Sequence, residues 1–403
     1  MRSSWRGKSL VEALSILVVA LSGRALAAAA KRAGYAVVAA DLFGDVDLKS
    51  TAEKWVTVGG NLAGGFDPEA LLSAADFLAP QASPPRFGLV YGAGLEAQVD
   101  LLGRLCRGRR LYGNRPQTVA RLKDPADFFA SLDRLGVPHP GVSFTVPDDG
   151  RNWLVKSVGG SGGTHVRPFA GVEVNPAGYY QRVAPGRPIG VSFLADGRRA
   201  IPIGFNEQWH ASGDGAQPFR FGGLCQPVDV GEQLRRDIQS LLDAITTEFG
   251  LVGLNSLDLM DNGDAYAVLE VNPRPGANLD IFDCIDGGSL FAHHIDACEG
   301  RLPDSWAPLS LATAMTIVYA DGPLQVPGNL GWPEWVADRP AAGASIEEGA
   351  PVCTVLASSE TAVGVHRLAM ERVLQVRSIL RADEPWPSFG SGAQPAKANA
   401  SHA

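Results

Sequence analysis

The chain has little cysteine, and its cysteines follow no recognisable pattern. Five of them are spread over 403 residues without a CxxC pair, which indicates neither a disulfide framework nor a cysteine zinc site. Apolar runs are also short, and none approaches the roughly 20 residues that a membrane span requires. We therefore expect a cytoplasmic protein with no membrane partner.

Basic residues are too few for a general nucleic-acid partner. The 35 Lys and Arg residues stand against 43 Asp and Glu residues, and the net charge is −8. Binding to DNA or RNA depends on basic surface, so we expect no nucleic acid among the partners. With 45% hydrophobic and 19% charged residues, the composition is typical of a globular protein of two or three domains.

Several familiar site motifs are missing. The first glycine turn, at residues 22–28, lacks the GxGxxG spacing, and no GxxxxGK[ST] loop occurs in the chain. No Ser–His–Asp or Cys–His constellation is evident, which argues against nucleophilic catalysis by the protein. His293 and His294 have no matching ligands, so we interpret them as helix residues.

The N-terminal third predicts an α/β domain. The segments "SILVVAL", "RALAAAAKRAG" and "YAVVAAD" read as a βαβ unit, and "FGLVYGAGL" at residues 87–95 adds another buried strand. The first 30 residues have an alternative reading as a secretory signal, with basic residues, an apolar core and an Ala-rich end. We favour the domain because the residues that follow also read as regular structure.

The rest of the chain mixes strands and helices. Its predicted elements are a helix at 124–136, a strand–loop–strand at 153–169, strands at 179–209, a helix at 230–250 and a hairpin at 252–276. A smaller β/α unit begins after about residue 310. Residues 383–403 are rich in Pro, Gly, Ser and Ala, which predicts a disordered tail.

The hairpin carries an unusual set of polar residues. Glu270, Asn272 and Arg274 alternate where the apolar strand "YAVLEV" ends, so they share one face. Asp258 lies on the preceding strand, and two close carboxylates repel each other unless a cation neutralises them. Carboxylate and amide oxygens suit Mg²⁺, whose shell is completed by phosphates and water. A charged strand end is the alternative, but the set as a whole predicts a metal site.

A glycine-rich loop adds a candidate phosphate site. Lys156 ends a strand and precedes "SVGGSGGTH". Small residues let backbone N–H groups approach phosphate oxygens, and Ser161 and Thr164 add hydroxyl donors. Taken alone, such a loop is more often a structural turn, but its spacing from the hairpin favours phosphate binding.

Three further features have open alternatives. Lys123 precedes a capped helix and is equally well read as a surface lysine. Gln181 and Arg182, in "YYQRVAPG", suit a linker strand that contacts an adenine ring. Arg220 lies among aromatic residues and glycines, where it reaches a phosphate or carboxylate or is simply solvated.

In this order, these pieces resemble the ATP-grasp superfamily of carboxylate–amine ligases. The resemblance covers roughly residues 14–300, and the ExNPR motif with its upstream Asp is its most specific part. It implies that ATP converts a carboxylate to an acyl phosphate, from which an amine forms an amide, with release of ADP and phosphate. The implied cofactors are ATP and Mg²⁺ or Mn²⁺, the implied partners are a small-molecule carboxylate and amine, and a homodimer is an implied assembly.

The resemblance also implies roles for individual residues. Asp258, Glu270 and Asn272 are the implied metal ligands, and Lys156, Arg220 and Arg274 the implied catalytic residues. ATP contacts are implied for Lys123, Lys156, Gly159, Gly160, Ser161, Gly162, Gly163, Thr164, Gln181, Arg182, Val183 and Ala184. Many relatives hold the ribose with an acid after the hinge, whereas this chain has "GRPIG". The ribose contact is therefore unassigned, and Ser192 is only a weak substitute.

The implied fold is α/β (α+β) in several parts. These are a Rossmann-like domain at 1–110, an ATP-grasp domain of two α+β subdomains at 111–305 with a lid near 141–185, a β/α extension at 306–382 and the tail. The segment "EEGAPVCTVLASSETAV" resembles the extension of ATP-grasp proteins of one-carbon carrier biosynthesis, such as tyramine–glutamate ligases. It also resembles a small domain of biotin-dependent carboxylases. We expect glutamate or a similar acyl donor, with a biotin-carboxylase-like component or a non-catalytic ATP-binding protein as alternatives.

Overall fold

The computed structural model describes residues 14–149, 151–171, 178–211, 217–283, 289–307 and 309–381. The tail predicted at 383–403 lies outside the described residues. Strands and helices mix throughout, and the predicted α/β fold class is confirmed. Within these ranges, no helix is both long enough and apolar enough to cross a bilayer.

The N-terminal sheet is parallel and covered by helices. Its region contains β1 (Ser15–Val19), α1 (Arg24–Arg32), β2 (Val37–Asp41), α2 (Val46–Thr51), β3 (Lys54–Thr57), β4 (Gly60–Asn61), β5 (Gly65–Phe66), α3 (Pro68–Leu78), β6 (Phe87–Tyr91), α4 (Val99–Leu105) and β7 (Arg110–Leu111). The strand order is β3-β2-β1-β6-β7. The predicted βαβ unit is confirmed, because β1 pairs in parallel with β2. Burial on both faces explains why these strands read as continuous apolar runs.

A small antiparallel sheet follows two helices. The elements are α5 (Pro116–Lys123), α6 (Pro125–Leu135), β8 (Val142–Ser143), β9 (Trp153–Ser157), β10 (Val166–Pro168) and β11 (Gly178–Arg182). Asp124 caps α6 and Gly136 ends it in the left-handed conformation, as predicted. The small sheet runs β10-β9-β11-β8. Residues 158–165, the glycine loop, connect β9 to β10.

The large sheet contains the predicted metal hairpin. The remaining elements are β12 (Arg187–Asp196), β13 (Ala200–His210), β14 (Phe221–Gln226), α7 (Glu232–Phe249), β15 (Val252–Asp261), β16 (Tyr266–Asn272), α8 (Leu279–Phe282), α9 (Leu290–Cys298), β17 (Ala312–Tyr319), β18 (Leu324–Gln325), β19 (Val336–Ala337), β20 (Ser345–Ile346), β21 (Pro351–Ser359) and α10 (Ala362–Arg381). The large sheet runs β16-β15-β12-β13-β14-β17-β21-β19. After residue 310, β17, β21 and β19 therefore continue this sheet, whereas β18 and β20 pair with each other in a separate two-stranded sheet. The domain boundaries themselves stay predictions.

The two faces of the large sheet differ, and this difference positions the site. Val191 and Phe193 on β12 pack with Leu242 of α7 in one apolar core. On the opposite face, Leu194 packs with residues of α8 and α9 in another. Further along that second face the residues of β12 and β15 become polar, starting at Ser192. The polar end of this face holds the candidate site.

Candidate functional site

The two carboxylates predicted as metal ligands lie side by side. Asp258 on β15 pairs directly with Glu270 on β16, so both side chains project from the same face of the sheet. Asp258 accepts hydrogen bonds from Asn272 Nδ2 and Gln208 Nε2, each 2.8 Å long. Burial and the neighbouring Glu270 charge raise the pKa of Asp258 to about 6. A bound cation would relieve this repulsion.

The charges of both predicted phosphate lysines influence the carboxylate pair. Lys123 ends α5 and donates from Nζ to Glu270 Oε2 at 3.2 Å and to Asn272 Oδ1 at 3.4 Å. Burial lowers the pKa of Lys156 on β9. Burial alone would raise the pKa of Glu270, but the two lysines and His165 outweigh it and lower that pKa to about 2. The structure thus gathers positive charge around a partly buried carboxylate.

Arg274 is held from the N-terminal sheet by a glutamate that the sequence analysis missed. Arg274 Nε donates to Glu96 Oε1 at 2.7 Å, and the two side chains are 10% and 2% exposed. Glu96 Oε2 accepts from the backbone N–H of Gly94, also at 2.7 Å. Burial alone would raise the pKa of Glu96, but Arg274 outweighs it and lowers that pKa. The pair fixes the guanidinium 3.4 Å from Asn272 Oδ1.

The glycine loop is folded against two neighbouring elements. Gly159, Gly162 and Gly163 have φ angles of +74°, +64° and +73°, in the left-handed region that favours glycine. The backbone N–H of Phe221 donates to the carbonyl of Gly162 at 2.9 Å. A side-chain carbon at Gly159 would lie 2.6 Å from Ala97 Cβ. The loop therefore connects the small sheet with β14 and with the chain after β6.

The remaining loop residues pack against one another. Thr164 Oγ1 lies 3.4 Å from the carbonyl of Ser161, to which it donates. Gly160 lies against the ring of His165, and a side-chain carbon at Gly160 would clash with that ring. Burial lowers the pKa of His165. His165, which the sequence analysis missed, follows the glycines directly in "GGTH".

Gln181 lies on the same face of the small sheet as Lys156. Tyr179 pairs with Lys156 and Gln181 with Leu154, and residues two apart on a strand share a face. The Gln181 side chain is 1% exposed, and its Nε2 has no hydrogen-bond partner. An unpartnered buried donor is uncommon, and a ligand acceptor would satisfy it.

The three residues that follow Gln181 in the predicted hinge are less buried than Gln181. Arg182 forms an ion pair with Asp149, and its guanidinium lies 4.7 Å from the centre of the Trp153 ring. Val183 is exposed and Ala184 is partly buried. In this predicted hinge, Gln181 is thus the buried side chain on the same face of the small sheet as Lys156.

The guanidinium of Arg220 is held by the C-terminal part of the chain. It lies 3.9 Å from the centre of the Tyr319 ring, and Nη1 donates to the carbonyl of Gly349 at 2.9 Å. These contacts place it next to β17, and the structure does not bring it to the carboxylate pair. Its predicted catalytic role stays a prediction.

The histidine pair belongs to α9, which confirms its interpretation as helix residues. His294 Nδ1 accepts from the backbone N–H of Leu254 at 2.9 Å, and burial lowers the pKa of His294 to about 4.

Ser192, the weak candidate for the ribose contact, is buried as well, and its hydroxyl accepts from Asn278 Nδ2. The ribose contact therefore remains unassigned.

The oxygen atoms at the hairpin fit a hard divalent cation. Over the described ranges, no group of three or more His, Cys, Asp and Glu side chains could hold a metal ion. Mg²⁺ does not require such a group, because one or two carboxylates suffice when water and substrate phosphates complete the shell. Asp258, Glu270 and the amide of Asn272 match that need.

Comparison with known proteins places the central region in a family. The sequence profile of the ATP-grasp domain matches residues 123–278. This range includes both lysines, the glycine loop, Gln181 and the carboxylate hairpin. The predicted resemblance to the ATP-grasp superfamily is confirmed.

Relatives and solved structures extend this comparison. The carbamoyl phosphate synthase large chain of Deinococcus deserti is 25% identical, over 46% of this chain and 20% of that protein, so the chain spans about a fifth of its length. The biotin carboxylase domain dimer of 2-oxoglutarate carboxylase from Hydrogenobacter thermophilus, in complex with MgADP, ADP and bicarbonate, has a TM-score of 0.66 at 15% identity, covering 88% of this chain and 89% of that one. N5-carboxyaminoimidazole synthetase from Staphylococcus aureus has a TM-score of 0.62 at 15% identity, covering 90% and 97%. At such identities, the structural likeness establishes the fold alone.

Proposed function

We propose that this chain, which carries an ATP-grasp domain at residues 123–278, is an ADP-forming ligase that joins a carboxylate to an amine. The γ-phosphate of ATP would be transferred to the carboxylate, and the amine would displace phosphate from the resulting acyl phosphate. The observation that carries the proposal is the partly buried cluster of Asp258, Glu270, Asn272, Lys123 and Lys156. Phosphoryl transfer depends mainly on positioning and charge neutralisation, which such a cluster supplies.

Asp258, Glu270 and Asn272 would hold the Mg²⁺ that accompanies ATP. When bound, Mg²⁺ would neutralise the charge of the phosphate groups. Burial and the Glu270 charge raise the pKa of Asp258, so a cation bound between the two carboxylates would relieve their repulsion. Mn²⁺ accepts the same oxygen ligands and would substitute.

Lys123, Lys156 and the glycine loop would hold the phosphates. Lys123 would exchange its contact with Glu270 for phosphate oxygens, Lys156 would add a second positive charge, and backbone N–H groups of residues 159–164 would add donors. A loop closed over the site would exclude the water that hydrolyses an acyl phosphate. Arg274, fixed by Glu96, would orient the acyl phosphate through charged hydrogen bonds.

Gly163→Ala is expected to lower kcat/KM for ATP by about 10- to 100-fold. A methyl group at this position would clash with the carbonyl oxygen of Phe219, so the loop could not close as it does here. Steady-state ADP formation measures the effect. The matched control is Gly162→Ala, which has a similar φ of +64° but nothing within 4 Å of the added carbon. Equal loss in both variants would show that backbone strain, and not the clash, is responsible.

Gln181→Met is expected to weaken ATP binding by about tenfold while raising the free energy of unfolding by about 1 kcal/mol. The Nε2 group has no partner in the structure, so its removal relieves a buried unsatisfied donor and deprives the adenine ring of a hydrogen bond. Calorimetric titration with MgADP and urea denaturation measure the two effects.

Gln226→Met is the matched control for Gln181. Gln226 is also buried, but its Nε2 donates to the Leu311 carbonyl and to Thr313 Oγ1, each at 2.9 Å. Its replacement should therefore destabilise the fold without changing nucleotide affinity. Unchanged MgADP affinity in Gln181→Met would remove Gln181 from the adenine site.

The carboxylate substrate has two candidates. Glutamate is proposed because the C-terminal segment resembles tyramine–glutamate ligases. Bicarbonate is the second candidate, because the Hydrogenobacter thermophilus domain was solved with bicarbonate. The same domain is described as a dimer, and we propose a homodimer here, which sedimentation velocity would test.

The proposed function is tested by measuring ADP and phosphate release from MgATP across a matrix of acids and amines. The acids include glutamate and bicarbonate, and the amines include tyramine, ammonia, aniline and biotin. Release that needs both an acid and an amine supports the ligase and names its substrates. Tight ATP binding without turnover anywhere in the matrix would contradict the ligase and favour an ATP-binding protein without catalysis.

A further inference from the structure

Two buried asparagines next to the carboxylate pair have unpartnered oxygens. Asn206 on β13 is 1% exposed and Asn278, just before α8, is 7% exposed. The Oδ1 atom of each is buried without a hydrogen-bond partner. Leaving such an acceptor unpaired is unfavourable, and native structures rarely do so without a reason.

The amide of Asn206 lies over a glycine beside Asp258. Gly190 on β12 pairs with Asp258 on one side and with Asn206 on the other. A side-chain carbon at Gly190 would lie 2.7 Å from Asn206 Oδ1 and 2.7 Å from Gln208 Nε2. Because Gly190 has no side chain, both amides can fold over β12 toward the carboxylates.

The amide of Asn278 lies on the same face, between β12 and Arg274. Its Nδ2 donates to Ser192 Oγ at 2.5 Å, and Ser192 is two residues from Gly190, a distance of about 7 Å along a strand. A side-chain carbon at Gly276 would lie 3.2 Å from Asn278 Oδ1 and 2.8 Å from Arg274 Nη1. Both amides thus lie toward β12 and β13, whereas Lys123 contacts Glu270 on β16, on the other side of Asp258.

The charges around these two amides favour a neutral ligand with N–H groups. Unpaired amide oxygens call for donors. The nearby carboxylates are engaged, Asp258 with Gln208 and Asn272, and Glu96 with Arg274. The guanidinium of Arg274 lies beside Asn278, and this positive charge and burial both favour the uncharged form of an amine over an ammonium ion.

We propose that Asn206 and Asn278 bind the amine substrate as an uncharged, weakly basic nitrogen, such as an aromatic amine, an alkoxyamine or an amide-like nitrogen. This inference rests on the proposed ligase function and adds the class of its nucleophile. The amine donates N–H groups to the two Oδ1 atoms and keeps its lone pair for attack. That pair forms the C–N bond at the acyl carbon, the C–O bond to phosphate breaks, and phosphate leaves with the electrons while a proton from nitrogen passes to phosphate or water.

The test uses the full chain loaded with Mg²⁺ and a non-hydrolysable ATP analogue. Ligand-observed NMR titrations compare methoxyamine, which is neutral near pH 7, with methylamine, which is protonated, and with acetate. The variants are Asn206→Leu and Asn278→Leu. Thr316→Val is the matched control, because Thr316 Oγ1 is also buried without a partner but lies on β17, three strands from β12. Asn206→Asp keeps the volume and the acceptors and adds a charge.

The expected result is that methoxyamine binds the wild-type chain at least about tenfold more tightly than methylamine. Each Leu variant weakens methoxyamine binding by at least about tenfold. Thr316→Val binds methoxyamine as tightly as the wild type, and all variants bind acetate with wild-type affinity. Asn206→Asp tightens methylamine binding, which supports the site even if a Leu variant fails to fold.

Several results would overturn the amine site. One is equal methoxyamine binding by the wild type and the Leu variants, and another is no methoxyamine binding by the nucleotide-loaded wild type. A third is that the Leu variants lose acetate binding and keep methoxyamine binding, which would assign the amides to the acid. Failure of the ligase function looks different. In that case methoxyamine binding still depends on Asn206 and Asn278, but no acid and amine together release ADP.

Discussion

Glu270→Gln is expected to lower ATP turnover by about 100- to 1000-fold and to raise the Mg²⁺ concentration needed for half-maximal rate. Lys123, Lys156 and His165 outweigh burial and hold the pKa of Glu270 near 2, so the side chain is a full carboxylate at physiological pH. Glutamine keeps the size and removes the charge and one metal-binding oxygen. ADP formation, measured over a Mg²⁺ series with the substrate pair found in the screen, gives both quantities.

Glu232→Gln is the control for this substitution. Glu232 is exposed at the start of α7 and pairs with Arg236, so its turnover and Mg²⁺ dependence should equal those of the wild type. Wild-type turnover in Glu270→Gln would rule out the metal-binding role assigned to Glu270. A lower rate with unchanged Mg²⁺ dependence would indicate that Glu270 acts by positioning Lys123 and Lys156 and does not bind the metal.

Glu96→Gln is expected to lower the free energy of unfolding by about 3–5 kcal/mol. The substitution leaves the guanidinium of Arg274 buried without its counter-charge, whereas the wild-type pair is nearly inaccessible to solvent. Turnover should fall as well, because Glu96 is the contact that fixes Arg274 from the N-terminal sheet. Urea denaturation followed by circular dichroism measures the stability.

The double variant Glu96→Gln/Arg274→Met separates charge from packing. Removing both charges should recover part of the stability, because neither group is then buried unpaired, but activity should stay low. The exposed pair of Glu69 and Arg104 provides a control, since Glu69→Gln should change stability by less than about 1 kcal/mol. If Glu96→Gln has an equally small effect, the buried pair does not link the two sheets energetically.

The parts of the fold that depend on local patterns were predictable. The helix from Pro125 to Leu135 was expected from its Asp cap and Gly136, and both act as predicted. The continuation of the large sheet by β17 and β21 was not expected. It depends on pairing between β14 and β17, which are almost a hundred residues apart, and strand order over such distances leaves no mark on local periodicity.

The same distinction holds at the site. Glu270 and Asn272 could be placed on one face because their spacing on a strand determines it. Lys123 could not be distinguished from a surface lysine in the sequence, because its contact with Glu270 joins residues 147 positions apart. Glu96 was missed for the same reason, although its place after β6, at the carboxyl end of a parallel strand, was a usable signal. Arg220 was singled out by its aromatic neighbours in the sequence, but the ring that holds it, Tyr319, is 99 positions away and could not be predicted from them.

The most direct measurement of the central claim follows oxygen from the acid into phosphate. The substrate acid is labelled with oxygen-18 in its carboxylate, and the phosphate released with ADP is analysed by mass spectrometry. An acyl phosphate formed at the cluster of Asp258, Glu270 and Asn272 predicts one labelled oxygen in each phosphate. Release of unlabelled phosphate, or of AMP and pyrophosphate, would contradict the proposed mechanism.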